Sequence, residues 1–495
     1  TSSTMASRTE VAKHNTKNSC WVVISGIVYD VTRLIDQHPG GANAILALAG
    51  KDATEDFDLF HSPSTIKSRP EQVIEIGPLA AGDGSLQPPP SPVASFIAAE
   101  TSDSRETSLK MSTKLPLVAC RSLQDFENTA LQLLPERSRV YFNTGSETRS
   151  AFDNNRSDWV RLSFRPRVLR DASKLSMQER IMGAHSTLPI FIAPTASAQL
   201  GNPDGELCFT RAAARMGIPQ GLSTYASKSP KEVAECFQNE PERRGGALFY
   251  QLYVPKTKSN AELMLAEAKS LGYKALLLTV DNPVLGKRDE NDQYKELAAL
   301  EPGDENQPYA TPPLPGEEPG VPRAIHDPTL SWDDLPWIRK AWGDGPLILK
   351  GIQCVEDAVE ALRHGVDGIY ISNHGGRQLD YAPSAVEVLL EIRQNAPQVF
   401  EKIDVYVDGG IMRGTDVVKA ICLGAKAVGI GRGFLYALCA HGTDGVVRAI
   451  EIMSEEIQTT MRLLGVTDLS QLNPSFLNFS RFSQAKDICT FSSKL

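Results

Sequence analysis

The chain has 495 residues, 41% of them hydrophobic and 22% charged, a balance that suits a globular protein of roughly two to four domains and excludes a largely disordered or fibrous one. Lys and Arg number 51 against 60 Asp and Glu, a formal charge of −9, and no run of five or six basic residues occurs, so nucleic acid is excluded as a partner. No apolar run approaches the roughly 18 residues of a membrane span.

Residues Thr1 to Glu10 lack the apolar stretch of a signal peptide, and the chain does not open on Met, which leaves room for a segment upstream. Eight scattered cysteines (20, 120, 208, 236, 354, 422, 439, 489) form no C-x-x-C pair, which points to a reduced, intracellular protein without a disulfide framework or zinc site. Near the start, Cys20-Trp21-Val22-Val23 and Val28-Tyr29-Asp30-Val31 read as short strands, followed by His38-Pro39-Gly40-Gly41 and, 23 residues on, His61. A domain of this size is marginal without a cross-link, which two histidines on one haem iron supply. His-Pro-Gly standing alone also has a reading as a turn.

From Gly77 to Pro116 the sequence is rich in Pro, Ser and Gly, as a linker is. The expected organisation is a small domain over 1–77, a linker over 78–115, a large domain over 116–478 and a tail over 479–495, with an acidic, Pro-rich mobile loop at 301–322. The large domain alternates eight short apolar runs (188–193, 218–223, 247–253, 275–281, 347–351, 368–372, 405–409 and 427–431) with amphipathic stretches such as 261–271, 355–364, 383–395 and 415–423. Continuous apolar strands alternating with helices predict a parallel sheet covered on both faces, and eight units predict an α/β fold closed as a (β/α)8 TIM barrel. No G-x-G-x-x-G follows any strand, which argues against an open dinucleotide-binding sheet.

In such a barrel the chemistry sits past the C-terminal ends of the strands. Those positions hold Pro194-Thr195-Ala196, Ser223-Thr224-Tyr225, Gln251, Tyr253, Thr279, Asp281, Lys350, Ser372 to Arg377, Asp408-Gly409-Gly410 and Gly431-Arg432. Any one of them also reads as a solvated loop residue; so many in register do not. Gly409-Gly410 and Gly431 allow backbone N–H groups to approach a phosphate, with Arg432 adding charge, which implies a phosphorylated substrate or cofactor. His374-Gly375-Gly376-Arg377 places an imidazole that takes a proton beside a guanidinium that clamps a carboxylate, and Asp281 is placed to orient the imidazole.

These residues also carry a family resemblance. PIFIAPTA (189–196), STYAS (223–227), YQLYV (250–254), LTVDNPVLGKRDEN (278–291), SNHGGRQLD (372–380) and VDGGIMRGTD (407–416) make the barrel similar to the FMN-dependent 2-hydroxy-acid dehydrogenases and oxidases. The resemblance implies that His374 is the base with Asp281 its partner, and that Arg377, Tyr253 and Tyr141 hold the substrate, with Arg288 an auxiliary cation. It implies that Lys350 lies by the flavin pyrimidine edge, that Ala193, Pro194, Thr195, Ala196, Ser223, Gln251 and Thr279 contact the ring, and that Asp408, Gly409, Gly410, Ile411, Met412, Gly431 and Arg432 surround the ribityl phosphate. Two departures stand out. Met412 replaces the family's arginine, so flavin affinity is expected to be lower unless Arg413 or another cation compensates. Tyr225 is a bulky pocket residue that favours L-lactate or glycolate over aromatic hydroxy acids.

The segment from Glu10 to Gly41 resembles a cytochrome b5 domain, which makes His38 and His61 the expected axial ligands of haem b and leaves His14 without an iron-binding role. The order of the two domains resembles the flavocytochromes that oxidise L-lactate and pass electrons from FMN to haem and on to cytochrome c. That resemblance implies a homotetramer built through the barrels, and the mitochondrial intermembrane space. The final Ser493-Lys494-Leu495 instead reads as a peroxisomal address. Two alternatives stand beside the dehydrogenase: an oxidase that reduces O2 with a peripheral haem, and, from Met412 alone, a non-enzymatic protein whose barrel has lost flavin.

Overall fold

The computed structural model describes residues 6–38, 42–46, 48–54, 56–57, 65–66, 71–80, 114–299 and 323–482. His61, most of the expected linker, the expected mobile loop at 301–322 and the chain from 483 on, with Ser493-Lys494-Leu495, lie outside the described residues. The chain packs as two units, one within residues 1–115 and one running from Pro116.

The smaller unit is built on a four-stranded antiparallel sheet, β1 (Asn15–Thr16), β2 (Ser19–Ile24), β3 (Ile27–Asp30) and β4 (Ile74–Pro78), in that order. β2 and β3 are the strands expected from their apolar alternation, and they bury Cys20, Val22 and Tyr29 on one face with Val31, Ile35 and Ala49. The expected linker begins later than Gly77: β4 pairs with β3 as far as Pro78, and Ala80 N–H donates to Ala6 O at 2.9 Å. Pairing with β3 outweighs the Pro and Gly that mark this segment as a linker.

The larger unit is the (β/α)8 barrel. Its strands are β5 (Ile190–Thr195), β6 (Gln220–Leu222), β7 (Leu248–Leu252), β8 (Ala275–Thr279), β9 (Leu347–Ile352), β10 (Gly368–Ile371), β11 (Asp404–Val407) and β12 (Ala427–Ile430), all parallel. Pairing of Val428 with Ile190 and Gly429 with Phe191 closes the ring. Every strand residue is buried except the last two of β5 and the first of β11, because helices cover the outside and side chains fill the inside. The lumen is packed with Phe191, Phe249, Leu277, Ile348, Tyr370 and Tyr406. At its N-terminal end the hairpin of 179–181 and 184–186 covers the barrel, and Met182 N–H donates to Tyr406 Oη at 2.9 Å. The opposite end is therefore the one open to a ligand. Helices start where the sequence supplies caps: Ser229 with Glu232 and Ser384 with Glu387 form capping boxes at Pro230–Asn239 and Ala385–Asn395, each cap contributing about 1 kcal/mol.

Six of the eight strands are shorter than their apolar runs, and the difference has a physical meaning. β7 ends at Leu252 and β8 at Thr279, so Tyr253 and Asp281 fall just beyond regular pairing, where a side chain turns into the mouth. Among the described residues no helix is long and apolar enough to cross a membrane. Seven of the eight cysteines are described, all as free thiols.

Candidate active site

The loop after β10 carries His374, the expected base. His374, Gly375 and Gly376 all have positive φ, 60°, 64° and 73°, a conformation that strains a histidine and is relieved only by surrounding bonds. A Cβ on Gly376 would lie 2.5 Å from the Phe152 backbone, so only glycine fits there. Asn373 fixes the turn: its amide exchanges two 2.8 Å bonds with Asn155, and its Oδ1 accepts Gly376 N–H at 3.0 Å.

Held this way, His374 Nδ1 meets Asp281 Oδ1 at 2.9 Å and Oδ2 at 3.1 Å, and Nε2 meets Tyr253 Oη at 3.1 Å. Asp281 is fully buried; burial alone would raise it, but His374 and Lys350 outweigh that and keep it below its ordinary pKa. Burial lowers His374 against the opposing pull of Asp281, so the imidazole is neutral at pH 7 with Nδ1–H donated to the carboxylate and Nε2 left as acceptor. Burial also raises Tyr253, which stays a phenol and donates to Nε2. A neutral imidazole with a buried carboxylate behind it accepts a proton and is stabilised once charged.

Cations surround this dyad. Lys350, 5% exposed, donates to Ser372 Oγ at 3.1 Å and stands 3.9 Å from Asp281 Oδ2. Arg377 donates one N–H to Tyr141 O at 2.8 Å, with its guanidinium 5.1 Å from the Tyr141 ring centre. Arg288 Nε donates to Arg377 O at 3.2 Å. Burial pushes both guanidinia below their ordinary range, Arg288 also through Arg377 and Arg377 through Arg432, so an anion bound between them is strongly favoured.

Next to the cations lie buried neutral polar groups. Gln251 accepts Thr224 N–H at 3.1 Å and donates to Thr279 Oγ1 at 2.9 Å, with Ser223 buried beside them and Pro194, Thr195 and Ala196 half-buried at the end of β5. On the far side Gly409 and Gly410 have φ of 100° and 74°. A Cβ on Gly410 would collide with Asn155 O, while one on Gly431 would meet only Ala193, at 3.9 Å, so Gly431 faces open space.

Residues 130–479 match the family of FMN-dependent dehydrogenases, and residues 7–80 match the cytochrome b5-like haem/steroid binding domain. The chain belongs to the FMN-dependent dehydrogenases. It is 39% identical over 482 residues to the L-lactate dehydrogenase (cytochrome) of Saccharomyces cerevisiae, covering 95% of this chain and 79% of that one. It is 36% identical over 372 residues to 2-hydroxyacid oxidase 2 of Bos taurus, covering 74% of this chain and all of that one. The flavin-binding domain of baker's yeast flavocytochrome b2 superposes with a TM-score of 0.66 at 37% identity, over 74% of this chain and 88% of that one. The match to the yeast dehydrogenase takes in both domains, whereas the bovine oxidase matches no more than 74% of the chain, and the protein is accordingly an FMN- and haem b-dependent dehydrogenase of cytochrome type.

The residues present fit FMN. Ser223, Gln251, Thr279 and Lys350, at the ends of the adjacent strands β6 to β9, would offer hydroxyls, an amide and an ammonium to a flavin ring edge, and Gly431 after β12 faces open space, while the glycines after β11 are packed against Asn155. Around the glycines expected to meet the phosphate, the nearby guanidinia are engaged with the protein itself. Arg413, the expected substitute for the arginine missing at Met412, is engaged elsewhere, 2.6 Å from Glu456. Arg432 donates to Phe142 O, Gly375 O and Thr144 O at 2.7–2.9 Å, so three of its five N–H donors are spent on backbone carbonyls. Asp408 and Ile411 flank the glycines, and Met412 N–H is taken by Asp416 at 3.1 Å.

The smaller unit fits haem on its described side. His38 follows the 3-10 turn 32–37 in extended backbone, and Leu34, Leu46, Leu48, Phe57 and Ile66 pack half-buried against the core, an apolar lining that is only partly covered. His14 stacks on Trp21 at 3.6 Å and contacts Ser19 Oγ at 2.6 Å, a packing role.

Two residues with roles here, Asn155 and His326, escape a reading of the sequence, and a third, Ser372, is named by it without its partner. Ser372 stands in a strand-end motif, but its bond to Lys350 is a feature of three dimensions. Asn155 lies mid-helix with nothing to mark it. His326, 5% exposed, stacks on Tyr253 and bonds Tyr225; its only signal is an isolated histidine in AIHDP, 101 residues from that tyrosine.

Proposed function

We propose that this chain oxidises a short L-2-hydroxy acid, L-lactate above all, to the 2-oxo acid and delivers the electrons singly to cytochrome c. The observation that carries the reading is His374 held at 2.9 Å by buried Asp281, with its Nε2 turned to Tyr253 and with Arg377 in the same loop. Arg377 pairs with the substrate carboxylate, aided by Arg288, while Tyr141 and Tyr253 orient the acid. His374 Nε2 takes the proton released at the 2-position, and Asp281 stabilises the imidazolium that results. Lys350 places a fixed positive charge beside the ring site, and Ser223, Gln251 and Thr279 hold its polar edge. FMN supplies a two-electron acceptor, and haem b, held by His38 and His61, a one-electron relay. Tyr225 narrows the pocket to small side chains. Met412 leaves the ribityl phosphate to Gly409, Gly410, Gly431 and the remaining donors of Arg432. Assembly as a homotetramer through the barrels belongs to the same reading and is checked by sedimentation.

The deciding experiment is an anaerobic visible spectrum of the holoenzyme on mixing with L-lactate, repeated with glycolate. Bleaching of flavin followed by reduction of the haem band supports the reading, and His38→Ala removes the second phase while leaving the first. Flavin that bleaches beside oxidised haem, with hydrogen peroxide formed in air even in His61→Ala, supports an oxidase instead.

A further inference from the structure

The proton transfer needs Tyr253 and His374, but the structure adds a third ring behind them. His326 lies flat on Tyr253, ring centres 4.3 Å apart and planes 9° apart. Tyr225 Oη lies 3.2 Å from His326 Nδ1, and the Tyr225 ring is 5.6 Å from that of Tyr253. Tyr225, His326 and Tyr253 thus form one block whose last member touches the base.

Backbone and side-chain hydrogen bonds of neighbouring residues hold the block in place. Asp327 N–H donates to Val254 O at 2.9 Å, tying His326 to the neighbour of the ring it stacks on. Tyr253 N–H donates to Thr224 Oγ1 at 3.1 Å, tying Tyr253 to the neighbour of Tyr225. Arg323 donates to Leu285 O, Gly286 O and Asp292, each at 3.0 Å, anchoring the segment that delivers the histidine. We propose that His326 is a specificity-determining residue: braced on Tyr253, it holds the Tyr225 ring as the end wall of the substrate pocket and restricts the substituent on the 2-hydroxy acid to one or two carbons. The inference rests on the 2-hydroxy-acid reading above and adds the residue that sets the size limit. Burial keeps His326 neutral, so one ring nitrogen is an acceptor for the Tyr225 phenol. A tethered ring is a firmer size limit than a free one, because a wall that swings aside discriminates poorly.

The test is kcat/KM for glycolate, L-lactate, L-2-hydroxyhexanoate and L-mandelate on the holoenzyme, with flavin and haem content checked for each variant. His326→Ala is expected to raise the mandelate-to-lactate and hydroxyhexanoate-to-lactate ratios at least tenfold. Tyr225→Phe keeps the ring but cuts its tether, and His326→Phe keeps the stack but removes the acceptor. Each is expected to raise the ratios by a smaller, similar factor, and the double variant by no more than either, because both remove one bond. Ratios within twofold of wild type in His326→Ala overturn the proposal. If that variant fails to load flavin, unchanged ratios in both Tyr225→Phe and His326→Phe overturn it equally. A wild-type enzyme inactive on L-lactate refutes the functional reading instead, and the hydroxyhexanoate-to-glycolate ratio then judges His326.

Discussion

The substrate and phosphate sides proposed for the barrel mouth present positive charge by different means. On the substrate side the charge is carried by side chains: Lys350, Arg377 and Arg288 are drawn out of water and fixed by Ser372, Tyr141 and the Arg377 carbonyl. On the proposed phosphate side Arg413 turns to Glu456 and Arg432 to three carbonyls, so the reading relies on backbone N–H groups, with Gly431 facing open space. A side-chain site costs desolvation and depends on a buried counter-charge, here Asp281. A backbone site costs strained φ values that only glycine takes without penalty. The first is sensitive to single charge changes; the second tolerates the loss of an arginine and is improved by regaining one.

The sharpest test of that contrast is on the substrate side. His374→Gln keeps a polar group of similar size but cannot take the proton, and kcat is expected to fall by about 10³ to 10⁴ with flavin still bound, measured by stopped-flow flavin reduction. Asp281→Asn leaves Lys350 buried without its counter-charge and the imidazolium unsupported, with an expected loss of about 10² to 10³. Its pH profile carries the sign. Activity requires neutral His374, so kcat/KM falls as pH drops through a pKa that burial holds below the ordinary 6.5. Asp281 opposes that lowering, so its removal is expected to move the acid limb to still lower pH. A limb that stays in place shows that the two groups are not coupled.

His326 extends the test from turnover to stability. Burial, reinforced by His374 and Lys256, pushes it down to about 4, from 6.5 in the unfolded chain. Its neutral form supports the fold fully above pH 6.5. Between 6.5 and about 4 the unfolded chain gains a proton that the folded chain refuses, so stability falls with pH. The total is roughly 3 kcal/mol at about 1.4 kcal/mol per unit. His326→Phe removes this term, and the barrel's unfolding temperature is expected to fall less steeply over that range. Parallel curves for the two proteins would show that His326 is hydrated.

The barrel is readable because its signal is periodic: each of the eight apolar runs holds a strand, and the residues just past them gather at the mouth where the site is proposed. Motifs such as SNHGGRQLD place four neighbours at once, since the loop they form is local. What the sequence could not show is which distant partner a residue faces. Arg413 is next to the vacant arginine position in sequence, yet its helix-start geometry points it at Glu456, 43 residues on. Tyr225 reads as bulky, but the histidine that fixes it lies across an acidic Pro-rich stretch with no periodicity of its own. Pro78 reads as linker because composition cannot register a short edge strand held by four residue pairs interrupted by a register shift.

Met412 is the place to sharpen the comparison further. If backbone N–H groups carry most of the phosphate binding, Met412→Arg adds one charge-assisted hydrogen bond of about 1.5–3 kcal/mol, partly offset by ordering the side chain. The net expectation is a roughly tenfold lower Kd for FMN. It is checked by fluorescence titration of the flavin-stripped protein, a readout independent of turnover. Because the change lies across the mouth from His374, kcat of the loaded enzyme is expected to stay within about twofold, as for distant sites without shared partners. An unchanged Kd would mean that the glycine cradle and the two remaining Arg432 donors already satisfy the phosphate. A rise of several orders in affinity would mean the reverse: that the backbone contributes little, and that the two halves of the mouth rely on side-chain charge alike.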